Sequence, residues 1–435
     1  MSTEQGASPA GGAGNGARAR ARQDVGDANG PAGVSPASTP PVTRFTIFLF
    51  AVASGLAVAN AYFAHPLLDV MTADLRLSHG LAGLIVGMTQ LGYGLGLVLL
   101  VPLGDLIDRR KLIVAQSLLS VLVLICVGFS TTAAMLLVSM AAMGFLAVVT
   151  QALVAYAASL ARPSERGHLV GMVTSGIVFG ILLARSVAGV LTDLSGWRTV
   201  YLVSALLTFV VALLLWRALP RQERPRTSLT YTGLIRSLVT LLIEEPVLRI
   251  RAVIAMLIFA NVTMLLTPLV LPLSAPPYSL SHTAIGLFGL AGAAGALGAA
   301  RAGRWADRGH GERTTGVALG LMLVAWLPIS LLDHSILWLI AGVIIIDFGL
   351  QATHVTNQAM IYRVRPEAQN RLTAAYMMFY SIGSAIGSST STIIYAYVGW
   401  EGVCIAGAGI SLTTIVFWAL TQRWIPAVAT QKVVE

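Results

Sequence analysis

Charge is scarce in this chain. Only 11% of its 435 residues are Asp, Glu, Lys or Arg, whereas 56% are hydrophobic. A soluble globular domain carries about 25% charged residues, so a water-soluble fold is excluded. Cysteine is nearly absent too. Cys126 and Cys404 fall in the middle of apolar runs in different halves, with neither a metal-type spacing nor an obvious disulfide partner, so packing is their expected role. No glycine-rich phosphate loop ending in Lys is present, which leaves an ATP-driven pump without a motif. No nucleophile–base pair or metal-ligand cluster stands at a plausible depth. The chain therefore reads as no enzyme, with no cofactor and no metal.

What it has in abundance is long apolar runs. A helix of about 20 apolar residues crosses a ~30 Å hydrocarbon core. About twelve such spans are predicted, at roughly 45–64, 79–102, 111–130, 134–159, 168–192, 199–217, 251–272, 283–301, 315–332, 336–361, 372–396 and 402–421. The net charge of +9 does not point to nucleic acid, because its distribution follows the membrane. Arg109, Arg110 and Lys111, Arg162 and Arg166, Arg221 to Arg251, Arg304, Arg308 and Arg313, and Arg363, Arg365 and Arg371 all fall in connections on one side. The other side holds only Arg76 and Arg198. This positive-inside bias over an even number of spans predicts that both termini are cytoplasmic and that the chain resides in the cell inner membrane.

The chain also repeats itself. RPSERGHL at 162–169 returns as RPEAQNRL at 365–372, Gly196-Trp197 returns as Gly399-Trp400, and Gly180 returns as Gly383, all at one offset of 203 residues. Two tandem copies of one apolar unit in the same orientation specify a two-lobed carrier. The predicted fold class is an all-α membrane protein of 12 transmembrane helices in two six-helix lobes. The expected boundaries are a disordered cytoplasmic tail over 1–42, an N-terminal lobe over 43–217, a cytoplasmic linker over 218–250, a C-terminal lobe over 251–425 and a tail over 426–435. The first segment is rich in Gly, Ala, Ser and Pro and cannot bury enough apolar area to fold. Within the linker, Leu234, Leu238, Leu241 and Leu242 recur at helical spacing before Pro246. That run is too short to span, so a surface-lying amphipathic helix is expected.

Two loops carry the next signal. Pro102-Leu103-Gly104-Asp105 leads into Asp108-Arg109-Arg110-Lys111 after the second span, and Gly303-Arg304-Trp305-Ala306-Asp307-Arg308 follows the eighth. A carboxylate at a helix end beside a tight basic turn can clamp neighbouring helix ends by charge-assisted hydrogen bonds. Asp105, Arg109, Arg110, Asp307 and Arg308 are thus candidate gating residues; the alternative is a basic loop that only fixes topology. With these loops, the paired RP loops and the paired Gly-Trp, residues 44–425 resemble the major facilitator superfamily. Within it the chain resembles the drug:proton-antiporter-type exporters, in particular the sugar and nucleoside efflux permeases, whose first-span ending the segment Asn60-Ala61-Tyr62-Phe63-Ala64-His65-Pro66-Leu67-Leu68 is similar to. That resemblance implies the two-lobed fold, alternating access and export. Val101, Leu106, Met140 and Ile181 depart from the commonest antiporter pattern, so the usual proton-coupling arrangement does not carry over.

A charge near mid-bilayer costs about 2.5–3.5 kcal/mol on insertion scales and requires a partner or a watery cavity. Arg185 in the fifth span and Asp347 in the tenth are such charges. Asp347, Gln351, His354 and Gln358 share one helix face. Asp347 and His354 are candidates for proton coupling, and Arg185 for anchoring a polar or anionic group. Each has a bland alternative, a helix-contact residue satisfied by hydroxyls, carbonyls or the opposite charge. A direct Arg185–Asp347 pair is a further expectation. Asn60, Tyr62, Gln90, Gln151, Asn261, Gln351, Tyr376 and Tyr380 complete the candidate substrate-binding set, with helix-to-helix hydrogen bonding as their alternative. The glycines of spans two, five, eight and eleven read as close-contact surfaces on which lobes rock. The resulting expectation is a monomeric secondary transporter that exports a small organic compound, protons and the lipid bilayer being its other partners. The alternative is a facilitator or symporter importing a small polar solute.

Overall fold

The computed structural model describes residues 44–160, 166–220, 230–290, 310–365 and 368–422, together with Trp305 and Arg308. The expected disordered tail and Asp307 lie outside these residues. Among the described residues every regular element is helical, as a lipid solvent demands of a chain that must satisfy its own backbone. Among the described residues, ten helical stretches are long and apolar enough to cross a membrane. The last, Gln369–Thr421, contains two helices joined at Gly399. Another helix starts at 282 and runs to 290, the edge of the described residues. Together these stand at the places of the twelve predicted runs, the eighth being followed among the described residues only as far as 290.

In chain order the N-terminal lobe contains α1 (Arg44–Tyr62), the short α2 (Leu68–Asp74), α3 (Ala82–Leu99), α4 (Arg109–Gly128), α5 (Ala133–Ala147), α6 (Val149–Leu160), α7 (Arg166–Ser195) and α8 (Trp197–Ala218). The linker helix α9 (Tyr231–Glu244) precedes the C-terminal lobe. That lobe contains α10 (Pro246–Leu266), α11 (Val270–Ser274), α12 (282–290), α13 (Gly311–Val324), α14 (Trp326–Ser330), α15 (Ile336–Tyr362) and α16 (Gln369–Thr421). The bundle end at which α1 starts is called proximal below, and the opposite end distal.

The repeated sequence markers have matching structural jobs. Gly196 and Gly399 both adopt left-handed φ, 82° and 75°, which only glycine takes without strain, and each forms the corner between two spans. The Trp behind each corner ties it down. Trp197 Nε1 donates to Asp74 at 3.1 Å, and Trp400 Nε1 donates to the Ile329 carbonyl at 3.1 Å. Gly180 and Gly383 let backbones touch. A Cβ on Gly180 would lie 2.2 Å from the Gly55 carbonyl oxygen, and one on Gly383 1.9 Å from that of Met256. So α7 packs on α1, and α16 packs on α10. Lipid gives helices no hydrophobic reason to associate, and such close backbone approach supplies van der Waals contact instead.

Proximally, the C-terminal lobe buries a charge. Arg251 in α10 is fully buried and donates to Glu312 in α13, to Thr315 at 3.3 Å and to Asn357 in α15 at 3.4 Å. Glu312 also accepts from Trp418 Nε1 at 2.9 Å. Four helices of the lobe thus share one polar knot. The linker forms the expected amphipathic helix. Thr230 caps α9 by accepting from Gly233 N at 3.2 Å, and Leu234, Leu238 and Leu241 are buried while Val239 and Ile243 face outward. Tyr231 Oη donates to the Leu99 carbonyl of the N-terminal lobe at 2.9 Å.

Candidate functional site

Residues from both lobes meet in one aromatic cluster at the centre of the bundle. Tyr62 ends α1, and Tyr376 and Tyr380 stand four residues apart on one face of α16. The hydroxyls of Tyr62 and Tyr380 lie 2.9 Å apart, bridging the lobes. The Tyr380 ring meets Phe259 of α10 edge-on, with centroids 3.9 Å apart, and Tyr93 of α3 at 6.4 Å. Phe259 in turn meets the His354 ring at 5.3 Å, edge to face. His354 Nδ1 lies 3.0 Å from Tyr376 Oη. Gln151 of α6 donates to Tyr93 Oη at 3.3 Å. Edge-to-face aromatic contacts of this kind orient rings beyond what area burial alone would fix.

Arg185 interacts electrostatically with Tyr62 of this cluster and with the opposite charge of Asp347. Arg185 of α7 is half-buried, and its Nε is buried with no hydrogen-bond partner. Asp347 of α15 is half-buried and within electrostatic range of Arg185. Tyr62 and His65 feel the same guanidinium, and the His65 ring stacks on Tyr62 at 5.8 Å. Among the described residues no Arg185–Asp347 contact within 4.0 Å is formed. The direct pair expected from sequence is therefore open in this conformation, with one charge contributed by each lobe.

Other candidates fall elsewhere. Asn60 accepts from Ser204 inside the N-terminal lobe. It lines, with Ser117, Ser120 and Thr208, a cavity of about 20 Å³, which is room for one water and not for an organic solute. Asn261 donates to the Gly407 carbonyl and Ser411 Oγ, both at 2.7 Å, and accepts from Trp326 at 3.3 Å. It thereby fastens helices within the C-terminal lobe. Gln90 is buried in α3, and Gln351 is half-buried on the Asp347–His354 face. Of the loop residues, Arg109 donates to the carbonyls of Gly104 at 3.0 Å and Ala155 at 3.3 Å. Arg110 donates to the Trp216 carbonyl. Asp108 caps α4 by accepting from Arg110 N at 2.9 Å. Arg308 is exposed. The Asp105 side chain and Asp307 lie outside the described residues.

Sequence reasoning missed Phe259, which reads as one apolar residue among many in an apolar span. It passed over Arg251 as the end of a basic linker. A lone Arg one turn inside such a span was the available signal, because it requires a partner.

Distal to the cluster, the lobes close on each other through small residues. A Cβ on Gly83 of α3 would lie 1.9 Å from the Ser388 carbonyl oxygen of α16, and Thr392 Oγ1 accepts from Gly83 N and donates to the Gly80 carbonyl, both at 3.0 Å. On the other flank a Cβ on Gly286 of α12 would lie 2.4 Å from the Arg185 carbonyl oxygen.

An all-helical membrane bundle in two lobes, with an aromatic and charged site shared between them, defines a multi-pass membrane transporter. The chain belongs to the Major Facilitator Superfamily, whose family model matches residues 47–361 and again 252–432. It is 47% identical over 372 residues to the uncharacterized transporter YgaY of Escherichia coli O157:H7, covering 86% of this chain and 94% of that one. The inner membrane transport protein YnfM of Escherichia coli K12 is 26% identical over 403 residues, covering 87% and 89%. Among solved structures, a bacterial homologue of the human lysosomal transporter Spinster, in an inward-facing and occupied conformation, superposes with TM-score 0.72. That match has 12% identity and covers 88% of this chain and 97% of that one. These relatives are transporters and not enzymes.

Proposed function

We propose that the chain is a proton-driven exporter of a small organic compound, working by alternating access in the bacterial inner membrane with both termini cytoplasmic. The observation that carries this reading is the shared central site. Six aromatic or imidazole rings from both lobes are in mutual contact, and Arg185 of one lobe and Asp347 of the other interact electrostatically beside Tyr62 of that cluster. Such a set of rings and charges, once the lobes part around it, suits a compound with a flat or apolar body and one polar group. Asp347, with Arg185 near but not bonded, is the proton-coupling residue. A proton and a cationic or hydrogen-bond-donating group of the compound compete for the Asp347 carboxylate, while Arg185 anchors a polar or anionic part, and that mutual exclusion at Asp347 is how one site couples two ligands in opposite directions. The domain limits follow the two lobes, with 218–250 as the linker between them, and one chain suffices because both halves of the site lie within it. Export, in preference to import, rests on the similarity of the Asn60–Leu68 segment to efflux permeases.

The test is proton release from acidified everted membrane vesicles, followed with a pH-sensitive dye while nucleosides, sugars, amino acids and drugs are added singly. A protein-dependent pH rise with one compound is expected, and Asp347→Asn should abolish it while leaving insertion and folding intact. Normal coupling in that variant removes Asp347 from the mechanism, and silence across the panel favours the facilitator reading.

A further inference from the structure

One polar cluster lies outside the central site and joins the lobes at their distal end. His282 stands one residue ahead of the predicted eighth span, in the C-terminal lobe. Its Nδ1 lies 3.0 Å from Asp193 Oδ1 at the end of α7, and its Nε2 lies 3.1 Å from Asp69 Oδ1 in α2. Both carboxylates belong to the N-terminal lobe. Asp193 also accepts from the backbone N–H groups of His282 at 3.2 Å and Thr283 at 2.8 Å, and from Thr283 Oγ1 at 2.7 Å. A carboxylate of one lobe therefore caps the first turn of a helix in the other, where the helix dipole favours an anion. The backbones touch just beneath, since a Cβ on Gly189 would lie 2.2 Å from the His282 carbonyl oxygen.

The imidazole geometry is decisive. A neutral ring has one N–H and one lone pair, so it can donate to only one of two carboxylates. Two ring nitrogens each within hydrogen-bond distance of a carboxylate oxygen are satisfied together only by the imidazolium. We infer that Asp69, His282 and Asp193 form a proton-binding latch that closes the distal mouth of the transporter when His282 is protonated and releases it when the proton leaves. Among the described residues, the charged groups facing His282 are these two carboxylates, from α2 and α7. The nearby Asp74–Arg198 pair lies wholly within the N-terminal lobe. Hydrogen bonding to Asp69 is the largest influence that holds the His282 imidazole above its ordinary range.

The sign follows from linkage. Closure brings the carboxylates to the ring, so the closed state binds the proton more tightly than the open one. Acid favours closure, and closure is lost as pH rises through the raised imidazole range. One proton changes the closed-to-open ratio by at most about tenfold per pH unit. The inference rests on the alternating-access reading, and in the proposed orientation the latch faces the outside. A proton arriving there would close the mouth behind it.

The experiment measures the distance between spin labels at Ser78→Cys and Leu337→Cys, on the distal ends of the two lobes, with Cys126 and Cys404 replaced by Ser. Protein in lipid nanodiscs is examined without substrate between about pH 6 and pH 9, which brackets an imidazole raised from about 6.5. The short-distance population should dominate in acid and give way to a longer one in base. His282→Gln keeps one donor but cannot change charge. It should show the longer distance throughout, with its pH response lost. Asp69→Asn should keep the response with its midpoint displaced to lower pH, which a merely structural contact would not produce. A distance profile that ignores pH, or a response that survives His282→Gln, overturns the latch. Because neither substrate nor proton flux enters the readout, that failure leaves the exporter reading to the vesicle assay.

Discussion

The buried knot at the proximal end of the C-terminal lobe supports an asymmetric expectation. Arg251 is fully buried, whereas about a third of the Glu312 side chain is exposed (36%). Glu312→Gln removes the only carboxylate that Arg251 contacts among the described residues. The amide oxygen can still accept, but no negative charge then balances the guanidinium, whose other partners Thr315 and Asn357 lie at 3.3 and 3.4 Å and whose Nε already has no partner. Stranding a buried charge costs about 3–5 kcal/mol. Arg251→Met strands nothing comparable, because Glu312 keeps the Trp418 indole N–H and reaches water. A loss of about 1 kcal/mol, the net worth of a hydrogen bond or two, is expected there. The double variant should resemble Arg251→Met alone, since no charge is then left buried, so Arg251→Met should rescue most of the damage done by Glu312→Gln. Thermal survival of the monodisperse peak in size-exclusion chromatography, followed across the four proteins, reads this out. Losses that simply add, or a Glu312→Gln variant milder than Arg251→Met, would refute the reasoning that burial of the guanidinium dominates.

Two further outcomes test the central site and the helix contacts. Exchanging the opposed charges, as Arg185→Asp with Asp347→Arg, should restore part of the transport lost in either single neutralisation if their mutual attraction matters in some state of the cycle. An exchange as inactive as the singles, in vesicles with normal protein levels, rejects that coupling. Gly180→Leu should destabilise by roughly 1–3 kcal/mol through overpacking, because even its Cβ would lie 2.2 Å from the Gly55 carbonyl oxygen. Gly171→Ala in the same helix meets nothing within 4 Å and should be neutral or stabilising by up to ~1 kcal/mol. Equal effects of the two on thermal survival would contradict the contact-based explanation.

Much of the architecture was legible because a bilayer enforces simple rules. Apolar length gave the spans, and the 203-residue repeat gave two like lobes. Gly196 and Gly399 mark corners that only a left-handed residue can turn. The central site was legible in part. The face carrying Asp347 and His354 and the Tyr376–Tyr380 pair follow from helical spacing, and these residues approach Tyr62 and Gln151 through Tyr93 and Tyr380. Asn60 and Asn261 show where spacing stops being informative. Both are polar and mid-membrane, yet they turn into their own lobes, and only the rotation of α1 and α10 decides which way a side chain faces. Asp69, Asp193 and His282 were not found for a different reason. Each sits at a span end, where a polar residue needs no explanation, and their meeting depends on three elements far apart in the chain.

The bundle treats charge within a lobe and charge between lobes differently, and this contrast bears on how it moves. Within the C-terminal lobe, Arg251 is sealed from water and held by partners on α13 and α15, so α10, α13 and α15 must move together. Across the distal mouth, the lobes share bonds of another kind: the Gly83–Thr392–Gly80 bridge, Ser186 to the Gly286 carbonyl at 3.3 Å, and the bonds of Asp193 to the start of α12. Most of these groups lie at the mouth, where water can replace the lost partner. At about 0.5–1.5 kcal/mol net for each such bond, separation costs an amount that a proton or a bound solute can offset through a difference in affinity between states. The glycine crossings lower that cost further. Where Gly83 meets Ser388 and Gly189 meets the His282 backbone, backbone lies directly on backbone, so at those crossings the glycine helix has no side chain of its own to withdraw when the helices part. Rigid lobes and a distal seal made of replaceable bonds are what a rocking carrier requires.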